Sequence, residues 1–199
     1  MTNSAPKQRS DTAEQILDLA ETLIQTRGYS AFSYQDIADS LGIRKASIHY
    51  HFPSKTNLGI AVVDRYIARF GAALTAIADD QSQSSMAMLD FYVQPYLQFA
   101  STPDRVCLSG ALAGEMMALP PEVRARVDHF FKTHQIWLTK ILKRGTARGE
   151  FSLAAPAPKV ARFVFGALQG ALLVKRTTDD PSQLNDVIAV MKLQLAARP

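Results

Sequence analysis

Apolar residues recur every three or four positions through nearly the whole chain, which is the spacing of one face of an α-helix. An early stripe of this kind is formed by Ile16, Leu19, Ala20 and Leu23, and the clearest one runs from Val123 to Leu142. No stretch combines strict alternation of apolar and polar residues with enrichment in β-branched residues. The pattern therefore predicts an all-α fold.

Capping residues and helix breakers divide this pattern into about nine helices. Ser10 or Asp11 is expected to cap the first helix, and Ser33 with Asp36 forms a capping box for the second. Pro53 disfavours helical geometry in the residue before it, so the third helix should end near position 52. The expected spans are 11–27, 33–42, 44–51, 54–78, 86–101, 104–118, 120–145, 158–177 and 182–196.

The second and third helices, between Ser33 and Phe52, have the spacing of a helix-turn-helix. Ala38 stands where two helices must cross closely, and Gly42 stands in the turn, where a positive φ has no steric cost for glycine. The apolar contacts between the two helices are expected from Ile37, Leu41, Ile43 and Ile48. Side chains able to contact phosphates and base edges point outward from the second helix: Arg44, Lys45, Ser47 and His49. A plain helical hairpin in a bundle would share part of this pattern.

The distribution of charge favours the nucleic-acid interpretation more than its sum does. The 199 residues carry a net charge of only +4, with a pI near 9.3. Residues 1–58 are neutral overall, yet no acidic residue occurs between Ser40 and Val63. A protein that packages nucleic acid without sequence preference should be basic over its whole surface. Here the acid-free window is confined to one predicted helix and its neighbourhood.

Several classes of protein are disfavoured by composition. The polar N-terminal residues contain no apolar signal region. The longest uncharged stretches, 91–103 and 163–174, are shorter than the ~20 apolar residues of a membrane-spanning helix. One Cys cannot form an internal disulfide, and four scattered His make a metal site improbable by count. We expect a cytoplasmic protein, associated with the nucleoid when bound to DNA, that has no membrane partner and no metal or other cofactor.

From about Asp11 to Leu58, the sequence resembles the N-terminal domain of the tetracycline-repressor (TetR/AcrR) family of transcription regulators. The matching residues are Gly28-Tyr29, Ser33, Asp36-Ile37-Ala38, Gly42, Ala46-Ser47-Ile48, Tyr50-His51-Phe52 and Ser54-Lys55. The resemblance covers about a quarter of the chain and implies a dimeric regulator, usually a repressor, that binds an inverted-repeat operator and a small effector. It also implies a flexible tail at 1–9, a DNA-binding domain at 10–53, and an effector-binding and dimerisation domain at 54–199.

The resemblance also implies roles for individual residues. Ser33 and Lys55 would contact phosphate, while Arg44, Lys45 and Ser47 would face the major groove. His49 stands where the family usually has Tyr, which makes the base preference of this chain its own. The remaining expected contacts are Gln35 and His51, although His51 is equally compatible with packing at a helix end. Tyr50 and Phe52 are expected in the core.

The C-terminal helices are expected to form the dimer and to hold the effector. The helix at 158–177 is apolar on every side from Phe163 to Val174, so a partner chain should cover one side. Small residues that permit close helix approach are Gly166, Ala167, Gly170 and Ala171. The effector candidates are Tyr92, Tyr96, Phe130, His134, Trp137 and Phe163, although aromatic residues at helical spacing are more often core residues. Few fixed charges lie in these stripes, which favours a small, apolar effector.

Cys107 lies in a segment that resembles one in the electrophile-sensing branch of the family, which includes N-ethylmaleimide-reductase repressors. Lys175 also matches a position that such sensors use, and a nearby cation would activate the thiol. The alternative is a buried, inert thiol. A small helical enzyme with Cys107 as nucleophile is the main alternative from another class. We expect no enzyme, because the candidate bases His129 and His134 lie on another predicted helix and no catalytic motif accompanies them.

Overall fold

The computed structural model describes residues 5–102 and 104–197, with side chains from residue 11 onward. These residues form nine α-helices and no β-strand, so the predicted all-α fold is confirmed. The helices are α1 (Ala5–Arg27), α2 (Tyr34–Leu41), α3 (Lys45–His51), α4 (Lys55–Asp79), α5 (Ser85–Ala100), α6 (Leu108–Gly114), α7 (Pro121–Ala147), α8 (Ala157–Thr178) and α9 (Ser182–Leu195).

Most predicted helix boundaries agree with the structure because the capping chemistry is local. The Ser33 hydroxyl accepts from the backbone N–H groups of Gln35 and Asp36, and the Asp36 carboxylate accepts from the Ser33 N–H at 2.7 Å. Gly42 ends α2 at a φ of 63°, in the left-handed region that glycine adopts without strain. Before α4, the Ser54 hydroxyl accepts from the Asn57 N–H at 3.1 Å.

Two predictions about helix ends were wrong. α1 begins at Ala5, so Asp11 lies inside the helix and does not cap it; helix-forming residues upstream continue the first turn. Of the predicted tail at 1–9, residues 1–4 lie outside the described residues. α6 is much shorter than the predicted 104–118, because Asp104 has a left-handed φ of 60° and the chain turns again after Gly114.

The chain divides into two compact units. The first takes the residues up to Ile67 together with Leu108–Asp128. The second takes Ala68–Cys107 and the residues from His129 onward. In the first unit, α2 and α3 pack on α1, and α6 packs on α1 as well. Its core contains fully buried aliphatic side chains, among them Ile16, Ile24, Ile37, Ile48 and Leu58.

In the second unit, α5 packs on both α8 and α9, and α8 packs along α9. The Arg144 guanidinium holds the connection between α4 and α5 by donating to the carbonyl oxygens of Ala78, Asp80, Gln81 and Gln83 at 3.2–3.3 Å. One charged side chain thus satisfies four carbonyl groups that a helix end and a turn would otherwise leave to water.

α8 is the one helix among the described residues that is long and apolar enough to cross a bilayer by length and composition. A third of its most apolar window is buried within the protein. A helix that packs in a protein core passes the same test, and α5 and α9 pack on this one. Its remaining apolar surface bears on assembly, as described below.

Candidate functional site

The α2–α3 pair forms a rigid helix-turn-helix. Its inner side chains, Ile37, Ala38 and Ile48, are at most 4% exposed. The Ile43 N–H donates to the Ala38 carbonyl at 3.1 Å across the turn. The buried Tyr34 hydroxyl donates to the Phe52 carbonyl at 2.7 Å, which ties the start of α2 to the end of α3. The orientation of α3 is therefore fixed by its core contacts.

The outward surface of α3 carries most of the predicted DNA contacts. Arg44, Lys45 and His49 are exposed, and Ser47 is partly exposed. The His49 ring packs edge-on against Tyr34, with its Nδ1 at 3.3 Å from the Pro53 carbonyl oxygen. When Nδ1 carries the proton and donates there, Nε2 is left as an acceptor.

Tyr50 was wrongly predicted to lie in the core. Its side chain is 64% exposed, whereas Phe52 is buried as expected. Ile48 is the inward residue of α3, and a residue two positions later lies on the opposite face of a helix. The hydrophobic pattern contained this signal, but aromatic character was given more weight than helical position. Tyr50 therefore joins the candidate surface as a side chain that can stack on, or donate to, a nucleic acid.

The other predicted contacts lie around α3. Ser33 and Gln35 are exposed, although the Ser33 hydroxyl also caps α2 and the Gln35 amide donates to Asp39 at 2.8 Å. His51 is partly exposed and packs on the Tyr50 ring at 5.1 Å.

Lys55 is held more tightly than its predicted role requires. Its ammonium group donates to the Phe32 carbonyl and lies over the Phe32 and Tyr29 rings, at 4.4 and 4.8 Å from their centroids. Burial lowers the Lys55 pKa, and the charges of Glu115 and Asp36 act in the opposite direction. Lys55 therefore stabilises the first unit as well as presenting a charge.

The second unit contains most of the predicted effector residues in one aromatic cluster, which we define as Tyr92, Tyr96, Phe130, His134 and Trp137. Tyr92 and Trp137 stack with centroids 5.2 Å apart, and the Tyr92 hydroxyl lies 3.0 Å from Nδ1 of His134. The Trp137 indole donates to the Leu74 carbonyl at 2.8 Å. Burial lowers the pKa of His134 to about 4, so the imidazole is neutral at neutral pH. The cluster therefore offers aromatic faces and neutral hydrogen-bonding groups.

Phe163 is not brought together with the aromatic cluster. Its side chain is 64% exposed on α8. A groove of about 400 Å³ between α8 and α9 is lined by Phe163, Ala167, Asp186, Val187, Val190, Met191 and Gln194. Further exposed apolar side chains on these helices are Leu173, Val174 and Leu193. Of the small residues predicted for the dimer, Gly166 and Gly170 are exposed and Ala167 is partly so, whereas Ala171 is buried.

The predicted sensing residues are both buried. Cys107 is 4% exposed, in the segment before α6, and so Arg105 does not stand at a helix start. Lys175 is 3% exposed and donates to the Thr102 carbonyl at 3.3 Å. Its ammonium also lies 3.7 Å from the Asp179 carboxylate. Among the described residues, no group of three or more His, Cys, Asp and Glu side chains could hold a metal ion.

Comparisons with known families cover both halves of the chain. The family model "Bacterial regulatory proteins, tetR family" matches residues 16–62, which include α2 and α3. The model "Tetracyclin repressor-like, C-terminal domain" matches residues 86–191.

Individual relatives extend these matches. A transcriptional regulator of the TetR family from Agrobacterium tumefaciens is 32% identical and superimposes with a TM-score of 0.89, covering 95% of this chain and all of that one. The biofilm operon icaADBC negative transcriptional regulator IcaR of Staphylococcus aureus is 27% identical over 64% of this chain and 73% of its own length. NemR of E. coli in its reduced form is 21% identical with a TM-score of 0.81, covering 94% of this chain and 98% of that one, a likeness of fold alone.

Proposed function

Because the chain belongs to the tetR family of bacterial regulatory proteins and is a DNA-binding transcriptional regulator, we propose that it is a dimeric repressor of the cytoplasm. It binds an inverted-repeat operator through α3 and is released by a small, apolar effector. The observation that carries the DNA-binding part is the outward surface of α3, which is rigidly held, exposed and free of acidic residues. The name of IcaR as a negative regulator supports repression.

The proposal divides the binding surface by role. Arg44 and Lys45 supply positive charge at the start of α3, and His49 and Tyr50 supply ring atoms for base edges or sugars. The exposed Ser33 and Gln35, at the start of α2, lie among the expected backbone contacts. Phosphate contacts position such a helix, and base contacts specify the sequence.

The dimer is proposed to form through the exposed face of α8 and α9. Phe163, Leu173, Val190 and Leu193 are large apolar side chains that one chain leaves in water. Contiguous apolar surface of this kind on a protein marks an interaction site. The exposed glycines Gly166 and Gly170 have open space at the position of a Cβ, which permits the close approach of a second helix.

The effector is assigned to the aromatic cluster and not to chemistry at Cys107. The cluster offers apolar faces and neutral polar groups, which suit an uncharged aromatic or alicyclic compound. Reaction with an electrophile requires an accessible thiolate, and the Cys107 side chain is 4% exposed. The burial of Lys175 beside the Thr102 carbonyl gives that lysine a structural role of its own.

Footprinting on the DNA that flanks the gene, combined with a salt titration, tests the proposed function. A discrete inverted repeat should be protected, with half-site centres ~34–36 Å apart or a multiple of that distance. A dimer with ~6–10 phosphate contacts should lose on the order of 10³ to 10⁵ in affinity between 50 and 200 mM salt.

The double substitution Arg44→Ala and Lys45→Ala should reduce the slope of log affinity against log salt, because each lost phosphate contact contributes about one unit. Uniform protection along the DNA, or an affinity that does not change with salt, would contradict the proposal.

A further inference from the structure

The loop between α1 and α2 is held by a single carboxylate from a distant part of the first unit. Glu115, directly after α6, accepts from the backbone N–H of Tyr29 at 2.6 Å and from that of Ser30 at 2.8 Å. Hydrogen bonds to an ionised acceptor are roughly twice as strong as neutral ones. Two consecutive amides of the loop are thus fixed by one side chain.

The loop is shaped to admit this carboxylate. Gly28 has a φ of 98°, and a Cβ at that position would overlap the Glu115 carboxylate. A side chain at residue 28 would therefore be strained by the backbone and would also displace the carboxylate. Glycine at this position satisfies both requirements at once.

The same loop determines where the helix-turn-helix begins. Only two residues separate Ser30 from Ser33, the N-cap of α2. Between them, Phe32 is buried and its carbonyl accepts from Lys55 at the start of α4. The Tyr29 side chain is confined from the other direction, since a Cβ on Gly59 would lie 2.8 Å from its ring. A shift of Tyr29 and Ser30 would therefore be transmitted to the first turn of α2.

We propose that Glu115 is a positioning residue for DNA binding, whose carboxylate fixes the Tyr29–Ser30 backbone and through it the orientation of α2 and α3. Glu115 touches no DNA in this scheme, and it acts from the end of α6, which packs on α1. The inference rests on the proposed DNA-binding function. It adds a residue that the helix-turn-helix sequence does not contain.

The test compares specific and non-specific DNA binding. The wild-type protein first selects a duplex from a random-sequence pool, and affinity is then measured for that duplex and for an unrelated one at fixed salt. Glu115→Gln removes the charge, and Glu115→Asp keeps the charge but shortens the reach. Each should weaken binding to the selected duplex roughly 10- to 100-fold, because base contacts need correct orientation. Binding to the unrelated duplex should change less than about threefold, since it depends on phosphate contacts alone.

Two controls separate positioning from charge and from stability. Glu122→Gln removes an exposed carboxylate of the same unit and should leave the selectivity between the two duplexes unchanged. The amide proton resonances of Tyr29 and Ser30 should move upfield in Glu115→Gln at a temperature well below the midpoint of unfolding.

Each outcome has a definite meaning. Equal selectivity in Glu115→Gln, Glu115→Asp and wild type overturns the inference, and so does retention of selectivity by Glu115→Asp alone, because charge would then be the cause. If the wild-type protein selects no duplex at all, the proposed function itself fails.

Discussion

At the scale of the residue, burial decides what His134 can do. The imidazole is 6% exposed, lies between Phe130 and Phe165, and meets one polar group, the Tyr92 hydroxyl. Desolvation lowers its pKa to about 4, against an ordinary value of 6.5. In the unfolded chain the same side chain titrates at its ordinary value. Between these two values the unfolded state binds more protons than the folded state.

This difference predicts a loss of stability on mild acidification. The contribution of His134 is present above its ordinary pKa of 6.5 and is lost as pH falls towards the folded value of about 4. Between pH 7 and 5, the free energy of unfolding should fall by about 2 kcal/mol more in wild type than in His134→Gln. Urea denaturation at fixed protein concentration measures it. The exposed His129, on the same helix, provides the control: His129→Gln should follow wild type, and equal pH dependence in all three proteins would contradict the assignment.

At the scale of the element, α2 shows how much a short helix depends on its ends. It has eight residues, and isolated helices of that length are unstable in water. The Ser33 hydroxyl satisfies two N–H groups of its first turn, and Gly42 closes its last turn. The hydrogen bond from Ser33 is also the first cause of the lowered pKa of Asp36.

Replacing this cap should destabilise the protein. Ser33→Ala leaves the amides of Gln35 and Asp36 without their side-chain acceptor, and should lower the free energy of unfolding by about 1 kcal/mol. Ser40→Ala, in the interior of the same helix, should be neutral or slightly stabilising because Ala has the higher helix propensity. Thermal unfolding of the two variants beside wild type gives both signs in one experiment; a stable Ser33→Ala variant would show that the cap is dispensable.

At the scale of the whole molecule, the apolar face of α8 and α9 determines the proposed assembly. Phe163 and Leu193 are 64% and 76% exposed, values that are unfavourable for side chains of this size. Burial of such surface against a second copy stabilises a dimer by roughly 25 cal/mol for each Å² removed from water.

A charge placed in this face should separate the copies. Ala167 lines the groove between α8 and α9, and Ala167→Arg would bring an unpaired cation into the proposed interface. Sedimentation should show a monomer, and operator affinity should fall because two half-sites are no longer bound together. Ala147→Arg, at the exposed end of α7, should leave the oligomeric state unchanged. An unaltered Ala167→Arg dimer would refute this placement.

Features set by local chemistry were the ones that could be predicted from the sequence. The capping box at Ser33, the left-handed Gly42 and the inward position of Ile48 each depend on a few neighbouring residues. Tyr50 was misplaced because its residue type was weighed above its helical position, and Phe163 was misplaced because α8 has apolar residues on both its buried and its exposed faces. The clamp by Glu115 joins residues 85 and 86 positions apart, which no local pattern could indicate.

The buried indole of Trp137 has one further consequence. The chain contains a single Trp, so the intrinsic fluorescence excited above the tyrosine band originates at one known position. That position is stacked on Tyr92 and hydrogen-bonded to the Leu74 carbonyl, inside the aromatic cluster. Any compound that enters the cluster must disturb the emission of this one chromophore. The protein therefore carries a built-in optical reporter with which a library of small molecules can be screened without a label, before the operator is known.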